Sequence, residues 1–476
     1  MSHRVFRLMP SAWAALLACT CAHAGYQSPD GHFSLSGFGT LGVSRSSTDD
    51  AIFNYPGQGG GATKHASPDP DSKLAVQGTY KFSPTVSGTA QVMTKYDAEG
   101  QYIPNIEWAF AKWQALPGLS LRAGRMGAPF FMISDFRDVT YTGTAVRPNL
   151  EVYGQVPVSQ FEGADASYEL NLGGTTLTSS VWTGQTKANY ATALTGGPTD
   201  QITLKRAVGL NVLADLGNGI TLRFGRSQGK LSIDSASAKD VGSQANELAG
   251  YAQYYADNAA SVAGGVGGGT AAAINASVAG AKANAAGFAQ VNDLLNPQGV
   301  DASFTGIGLA YDQDNWVASV EYTKRKTKSF IADTTGWYGL LGYRIGKFTP
   351  FVGYAKLTTD RTSPNPVQTN ALADSGGFDT DFDTAAGAVN AYAAALGDGV
   401  SAFMASQFVN QKTSTVGVRW DVHSGLAVKA QFDRITKDAN SVGTFLVPDP
   451  TVPSGQAFIA NKKVINVISL SVDFVF

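Results

Sequence analysis

The chain has 476 residues, and only 15% of them are charged, well below the roughly 25% of a soluble globular protein. The formal net charge of −2 at pH 7 leaves no basic excess, which excludes nucleic acid as a partner. Beyond the N-terminus no stretch of about 20 strongly apolar residues occurs, and this excludes a bundle of membrane-spanning helices. What remains is an all-β protein whose apolar residues are spread evenly along the chain.

The first 24 residues have the pattern of a secretory signal peptide. Two arginines precede an apolar stretch from Leu8 to Ala18, and a site of the form A-x-A predicts cleavage between Ala24 and Gly25. Both cysteines of the chain, Cys19 and Cys21, lie inside this segment, so the exported protein is expected to fold without disulfides. A short buried helix and a lipoprotein signal are alternative interpretations of the same residues.

Residues 25–476 alternate between apolar and polar side chains with a period of two, which is typical of half-buried β-strands. In the last segment, apolar residues from Val464 to Phe476 share one face, interrupted only by Asn466, whereas Ser469 and Asp473 fall on the other face. The alternation predicts sixteen strands. They lie near residues 32–44, 73–82, 85–96, 105–115, 119–125, 161–172, 175–184, 201–215, 220–229, 302–312, 316–328, 337–345, 348–357, 412–421, 426–437 and 462–476.

The predicted strands are joined by connections that are alternately long and short. Short connections have two to four residues, whereas the long ones include the insertions 230–301 and 358–411. Because lipid offers no hydrogen bonds to the backbone, a sheet within it must close, with one face in lipid and the other in water. The sequence therefore predicts a transmembrane antiparallel β-barrel of 16 strands over residues 25–476, with short periplasmic turns and long extracellular loops. A soluble protein of several β-sheets is the alternative, but its wet faces would carry more charge.

Two features are left open by the sequence. In the strand near 105–115, Ile106 and Trp108 fall on one face and Trp113 on the other, so the direction of its side chains is undetermined. The insertions 230–301 and 358–411 contain helix-favouring, Ala-rich stretches. They are expected either to form helical hairpins over the mouth of the barrel or to be disordered.

The chain carries no recognisable enzyme motif. Neither G-x-S-x-G, H-E-x-x-H, a P-loop nor paired C-x-x-C occurs in residues 25–476. The histidines that remain there, His32, His65 and His423, are far apart, and Asp379–Asp383 matches only part of a calcium-binding loop. We therefore expect neither enzymatic activity nor a bound metal or cofactor.

Several motifs are spread from the first predicted strand to the last. They are S-G-F-G-T-L-G at Ser36–Gly42, E-W-A at Glu107–Ala109, L-R-A-G-R at Leu121–Arg125 followed by P-F-F at Pro129–Phe131, T-V-G-V-R-W-D at Thr415–Asp421, K-A-Q-F-D at Lys429–Asp433, and the terminal Phe476. In this order and spacing they resemble the general porins of Gram-negative bacteria, especially the beta-proteobacterial type. The resemblance implies a homotrimer in the outer membrane, surrounded by its lipid and lipopolysaccharide. It also implies a third long loop folded into the lumen, and recognition of Phe476 by the barrel-assembly machinery.

The third long loop, residues 126–160, carries both signs of charge within a short span. Its charged residues are Asp135, Arg137, Asp138, Arg147 and Glu151. Strand parity turns further basic residues inward, namely Arg122, Arg344, Arg419 and Lys429. Opposite charges across a water-filled constriction orient dipolar solutes and select ions, so these nine residues are expected to form a pore constriction. The alternative is that they are solvated charges inside a wet barrel, screened by salt.

These observations predict an outer-membrane channel that lets small hydrophilic solutes and ions diffuse passively through a charge-lined constriction. One alternative is a channel that selects organic anions at a saturable site. Another is a surface adhesin or structural barrel that uses the long loops for attachment.

Overall fold

A computed structural model describes residues 25–191, 199–450 and 452–476, so the predicted signal peptide, residues 1–24, lies outside the described residues. The described chain forms one antiparallel sheet of sixteen long strands, and the two-residue strand Tyr26–Gln27 pairs with the first of them. The strands are β1 (Phe33–Ser46), β2 (Lys73–Lys81), β3 (Val86–Lys95), β4 (Asn105–Leu116), β5 (Leu119–Gly127), β6 (Gln160–Leu172), β7 (Thr175–Tyr190), β8 (Asp200–Asp215), β9 (Ile220–Asp234), β10 (Val300–Gln313), β11 (Trp316–Thr327), β12 (Asp333–Tyr343), β13 (Phe348–Arg361), β14 (Gln411–His423), β15 (Leu426–Lys437) and β16 (Lys463–Val475).

The sheet closes on itself. Each strand pairs antiparallel with its neighbours in sequence, and β16 pairs with β1 from Val467 opposite Ser46 to Val475 opposite Phe38. Closure leaves no edge strand, so the backbone N–H and C=O groups of the barrel strands form hydrogen bonds within the sheet. We call these strands the wall of the barrel. The predicted fold, an antiparallel β-barrel of 16 strands, is confirmed.

The connections at the two ends of the barrel differ in length, as predicted. At one end two to four residues join consecutive strands, whereas the connections at the other end are longer and the longest contain helices. The shortest turns depend on glycine. Gly173, between β6 and β7, has a φ of +65°, a conformation that a residue with a Cβ adopts only at a cost.

The two faces of the wall have opposite polarity, and the apolar face is the exposed one. On β16, Ile468 and Leu470 are 56% and 50% exposed, whereas Ser469 and Asp473, on the other face, have no exposed surface. On β1, Leu41 and Val43 are exposed while Thr40 and Ser44 are buried. This polarity is the reverse of that of a soluble protein, and it is the arrangement by which a closed barrel spans a bilayer.

Several strands extend further toward the long-loop end than the alternation predicts. The structure continues β7 to Tyr190, β9 to Asp234 and β13 to Arg361, where the sequence predicts ends near 184, 229 and 357. In these extensions the outward side chains are polar, as Lys187 is on β7, so the contrast of apolar outward and polar inward residues ends there in the sequence. The ladder of backbone hydrogen bonds does not depend on that contrast, and the strands continue.

A β-bulge resolves the ambiguous facing of β4. Gln91 of β3 lies opposite Trp108 and the next residue, Val92, lies opposite Ile106, so Glu107 is the extra residue on β4. Ile106 points outward before the bulge and Trp113 points outward after it, and Glu107 is buried on the polar face. The bulge therefore lets Ile106 and Trp113 both face outward, whereas Trp108, opposite the buried Gln91, faces inward.

The C-terminal aromatic residues pack over glycines at the seam between β16 and β1. A Cβ placed on Gly37 would lie 2.2 Å from the ring of Phe476, and one on Gly39 would lie 2.4 Å from the ring of Phe474. The amide of Phe476 donates to the carbonyl of Gly37 at 2.9 Å, and the amide of Gly37 donates back at 2.7 Å. The terminal residue thus takes part in closing the barrel.

The described connections contain five α-helices. They are α1 (Leu150–Tyr153), α2 (Ala236–Gly265), α3 (Gly268–Leu295), α4 (Thr380–Ala405) and α5 (Pro453–Ala460). The Ser235 side chain caps α2 by accepting from the amide of Ala238, and Asp379 caps α4 by accepting from the amide of Phe382. Of the two alternatives for the insertions 230–301 and 358–411, the structure supports the helical one.

The long helices share an apolar core with the long-loop end of the barrel. The rings of Tyr255 on α2 and Phe382 on α4 stack with their centroids 4.2 Å apart. Ile233, near the end of β9, and Phe330, after β11, belong to the same buried cluster. Among the described residues, no helix is both long and apolar enough to cross a membrane.

An outward charge should destabilise the barrel far more than an inward one. On β2, Val76 is exposed on the apolar face and Thr79 lies on the polar face, where its hydroxyl contacts that of Thr89 at 3.0 Å. We expect Val76→Arg to lower the free energy of unfolding by about 2–4 kcal/mol in lipid vesicles, and Thr79→Arg to lower it by less than half as much. Reversible denaturant unfolding measures both, and equal losses would contradict the assigned polarity.

Candidate functional site

The connection between β5 and β6, residues 128–159, contacts much of the polar face of the barrel, and we call it the third loop. It holds two short 3₁₀ turns and the helix α1. Hydrogen bonds tie it to side chains of β1, β9, β11, β14, β15 and β16. These partners are distant in sequence, so the loop takes its path from tertiary contacts.

Arg147 joins the third loop to four separate parts of the barrel, namely β1, the connection that follows it, β15 and β16. Its guanidinium donates to Asp71, in the connection after β1, at 2.6 and 2.7 Å, and to the hydroxyls of Ser44 and Ser469 at 2.7 Å. Asp433 of β15 lies 3.5 Å away. Burial opposes ionisation of Asp71, but the Arg147 charge outweighs it and holds the pKa of that carboxyl below its ordinary value. Arg147 is itself buried, so its charge is used within this network.

Lys429 and Arg419 hold the middle of the loop by binding its backbone. The ammonium of Lys429 donates to the carbonyls of Thr140 and Ala145 at 2.6 and 3.0 Å, and pairs with Asp473 at 3.0 Å, with no part of its side chain exposed. The guanidinium of Arg419 donates to the carbonyls of Tyr141 and Gly143 at 2.5 and 2.8 Å. Both cations therefore donate to carbonyls of the loop, and one of these, the Thr140 carbonyl, also accepts from the amide of Gly143.

Helix α1 sits against β12 and β14. The Glu151 carboxylate accepts from Thr413 and from the Gln411 amide, the latter at 2.8 Å, and burial raises its pKa. A Cβ on Gly336 of β12 would lie only 2.2 Å from the Glu151 carbonyl oxygen, so the close approach requires glycine there. Glu151 is thus a packing and hydrogen-bonding residue in this structure.

A cluster of five charged residues, which we call the charged junction, lies where the third loop meets β2, β3 and β4. Asp138 is its centre, with Lys73 at 3.2 Å, Lys95 at 3.6 Å and Arg137 at 3.7 Å, and Lys95 also contacts Glu107 at 3.3 Å. Burial opposes ionisation of Asp138, but the three cations prevail and hold the pKa of its carboxyl far below the ordinary value. With three cations and two carboxylates, the junction carries one surplus positive charge.

The remaining predicted residues lie apart from the junction. Arg122 pairs with Asp165 at 2.5 Å, and burial raises the pKa of Asp135, partly offset by the nearby Arg122 charge. Arg344 lies beyond the end of β12 in a short turn, where it pairs with Asp312 at 2.7 Å. The structure therefore places Arg344 at the short-turn end of the barrel, away from the contacts of the third loop.

Two cavities of different character border the third loop. The larger, of about 1050 Å³, is lined by polar and charged residues that include Lys73, Lys95, Asp138 and Glu107. The smaller, of about 400 Å³, is lined by apolar side chains of the loop and of β8 to β13, together with polar and charged side chains of the loop, β14 and β15, among them Arg147, Glu151 and Asp433. Arg137 lines both cavities, so it lies on the border between a polar and an apolar space.

Six of the nine predicted residues therefore separate into two groups, and Arg122, Asp135 and Arg344 belong to neither. Arg147, Glu151, Arg419 and Lys429 bind the third loop to the wall, whereas Arg137 and Asp138 border the larger cavity. The set omits Asp71, Lys73, Lys95 and Glu107. Strand parity turns Lys73 and Lys95 inward and could have identified them, but Asp71 lies in a connection where parity has no meaning.

The described part of the chain contains no group of three or more His, Cys, Asp or Glu side chains placed to hold a metal ion. No protein-family model matches the chain, and no curated protein matches it either.

Solved structures with which the chain aligns are outer-membrane proteins. Salmonella typhi OmpF in complex with daunomycin aligns over 95% of this chain and 100% of that chain, with 10% identity and a TM-score of 0.48. The anion-selective porin of Comamonas acidovorans aligns over 93% and 99%, with 11% identity and a TM-score of 0.47. The outer membrane channel DcaP of Acinetobacter baumannii aligns over 95% and 100%, with 10% identity and a TM-score of 0.47. The barrel of this chain is defined by its own strand pairing, which closes between β16 and β1.

Removing the Arg147 charge should destabilise the folded barrel. Arg147→Met leaves the Asp71 and Asp433 carboxylates buried without their cation, and we expect the free energy of unfolding in detergent to fall by about 3–5 kcal/mol. The matched control is Lys64→Met, which breaks an exposed ion pair with Asp49 at 3.4 Å and should cost less than about 1 kcal/mol.

The loss should also depend on pH. Because the folded pKa of Asp71 lies below its unfolded value, the stabilisation is complete above the unfolded value and declines as the pH falls through the folded one. The difference between wild type and Arg147→Met should therefore shrink below about pH 4. A difference that stays constant down to pH 2 would contradict the Asp71–Arg147 pairing.

Proposed function

We propose that the chain is a porin of the bacterial outer membrane, a passive channel for small hydrophilic solutes and ions. The observation that carries this proposal is the polarity of the closed barrel, with apolar side chains exposed outside and polar ones buried inside. An apolar exterior matches lipid, and a barrel of sixteen strands is wide enough to enclose an aqueous channel. The charge pairs on the inner face support a hydrated interior.

In this proposal the third loop folds into the lumen and narrows it. The support comes from its partners on the polar face, which range from Thr40 of β1 to Glu321 of β11 and Thr413 of β14. A segment bound to strands around the barrel crosses the space that they enclose. The narrowest part of the channel then lies beside the loop, where the charged junction meets the larger cavity.

The predicted constriction residues take two roles in this channel. Arg137 and Asp138, with Lys73 and Lys95, act on a passing solute through their charge, and Arg122 contributes to the field from β5. Arg147, Glu151, Arg419 and Lys429 act indirectly, because they hold the loop at its position. Arg344 acts at the periplasmic exit.

Export, assembly and oligomeric state complete the proposal. Export rests on the pattern of residues 1–24, and assembly and oligomeric state rest on the sequence resemblance. A signal peptide cleaved after Ala24 would direct the chain across the inner membrane. The barrel-assembly machinery would read Phe476 before its ring packs on Gly37. The mature barrel would assemble as a homotrimer in outer-membrane lipid and lipopolysaccharide.

Purified protein should form open, water-filled channels in a planar bilayer, and Asp138 should influence their ion preference. Asp138→Asn raises the surplus charge of the junction from one to two, so the reversal potential in a salt gradient should shift toward anions. Asp398→Asn is the matched control, because it removes the same charge from the exposed side of α4.

The two variants separate a local effect from a general one. We expect an unchanged reversal potential for Asp398→Asn. Equal shifts in both variants would contradict a role of the charged junction in selection, and an absence of any conductance would contradict the channel itself.

A further inference from the structure

The smaller cavity combines an exposed apolar surface with paired charges, because Arg147 pairs with Asp433 in its lining. Phe136 of the third loop is 45% exposed there, although most large aromatic residues of the loop are buried. Apolar side chains from the loop and from the wall surround the same space. They are Ile133 and Val139 of the loop, Leu213 of β8, Val317 of β11 and Leu340 of β12.

An exposed apolar surface in contact with water has a free-energy cost that a purely polar solute does not relieve. A solute with an apolar group relieves it, because both surfaces leave water together. The cavity, of about 400 Å³, has room for an aromatic ring and a few further atoms. The first part of the inference is therefore a solute with an apolar group.

Arg137 lies next to Phe136 in the chain and borders both cavities. Its side chain is 10% exposed, and its ion contact is with Asp138 at 3.7 Å, a carboxylate that also serves Lys73 and Lys95. Among the side-chain hydrogen bonds of the described residues, none is donated by the Arg137 guanidinium. A guanidinium has five N–H donors and matches a carboxylate with two parallel hydrogen bonds.

The charge balance of the junction favours an anion over a cation. Its three cations and two carboxylates leave one positive charge, and this surplus lies at the border of the apolar cavity. A bound monoanion would cancel this surplus charge and make the junction neutral. A dianion would leave one negative charge in a partly desolvated site, which is costly.

We propose that the channel has a binding site for small organic monoanions that carry an apolar group, best an aromatic ring. The carboxylate binds the Arg137 guanidinium, and the ring lies against Phe136 in the smaller cavity. This inference rests on the proposed channel function and goes beyond it, because it names a solute class and the residues that would bind it.

The test measures how benzoate blocks the chloride current through single channels in a planar bilayer. Acetate provides the carboxylate without the ring, and benzyl alcohol provides the ring without the charge. We expect saturable block by benzoate, at a concentration about tenfold lower than any block by acetate or benzyl alcohol. Each current is normalised to the conductance of the same channel in chloride alone.

Variants then assign the two halves of the site. Phe136→Ser should weaken the benzoate block about tenfold, Phe136→Leu should weaken it less, and Arg137→Gln should make benzoate resemble benzyl alcohol. The control, Phe378→Ser, removes an aromatic ring that is 59% exposed just before α4, and it should keep the wild-type block. Circular dichroism and the mobility of the unheated protein in electrophoresis verify that each variant is folded.

The outcomes separate this inference from the channel on which it rests. A channel that conducts chloride but responds alike to benzoate and acetate overturns the inference and leaves the channel in place. Wild-type block in Phe136→Ser or Arg137→Gln overturns the assigned residues. A protein that forms no channels contradicts both.

Discussion

The closure of the sheet is the constraint on which the rest of this structure depends. In lipid a free strand edge would leave a row of unpaired backbone groups, each costing several kcal/mol. Pairing of β16 with β1 removes that edge, and Phe474 and Phe476 cover the glycines of β1 at the seam. Once the sheet is closed its two faces meet different solvents, and the alternation of side chains along every strand follows from that difference.

Closure also creates an interior in which charges can be partly buried. The contacts between the third loop and the polar face of the barrel are ion pairs and charged hydrogen bonds, in which Arg147, Lys429 and Arg419 are the cations. Such contacts would contribute little at an exposed surface. A buried ion has few alternative partners. These contacts therefore hold the third loop in a single position. The loop in turn separates a charged cavity from an apolar one, and Arg137 lies at their border.

The amino-acid sequence by itself determined the number, order and approximate limits of the strands. It could do so because an apolar outer face and a polar inner face give successive residues opposite polarities, and this period of two is visible without any tertiary contact. Turn residues such as Gly173 also predicted which neighbouring strands pair with each other. Strand limits were missed where the outward residues are polar, as beyond residue 184 on β7, and the facing of β4 was missed because a bulge at Glu107 shifts its phase.

Only the tertiary structure decided which charges meet. Strand parity states that Lys429 and Arg419 point inward, but it states neither their height along the barrel axis nor the groups that face them. Arg147 contacts Asp71, which is 76 residues away and lies in a connection that has no alternation of polarity. Asp138 likewise contacts Lys73, a residue distant in the sequence. The physical reason is that side-chain direction is a local property of the strand, whereas partners within the barrel depend on the path of the third loop and on closure of the whole sheet.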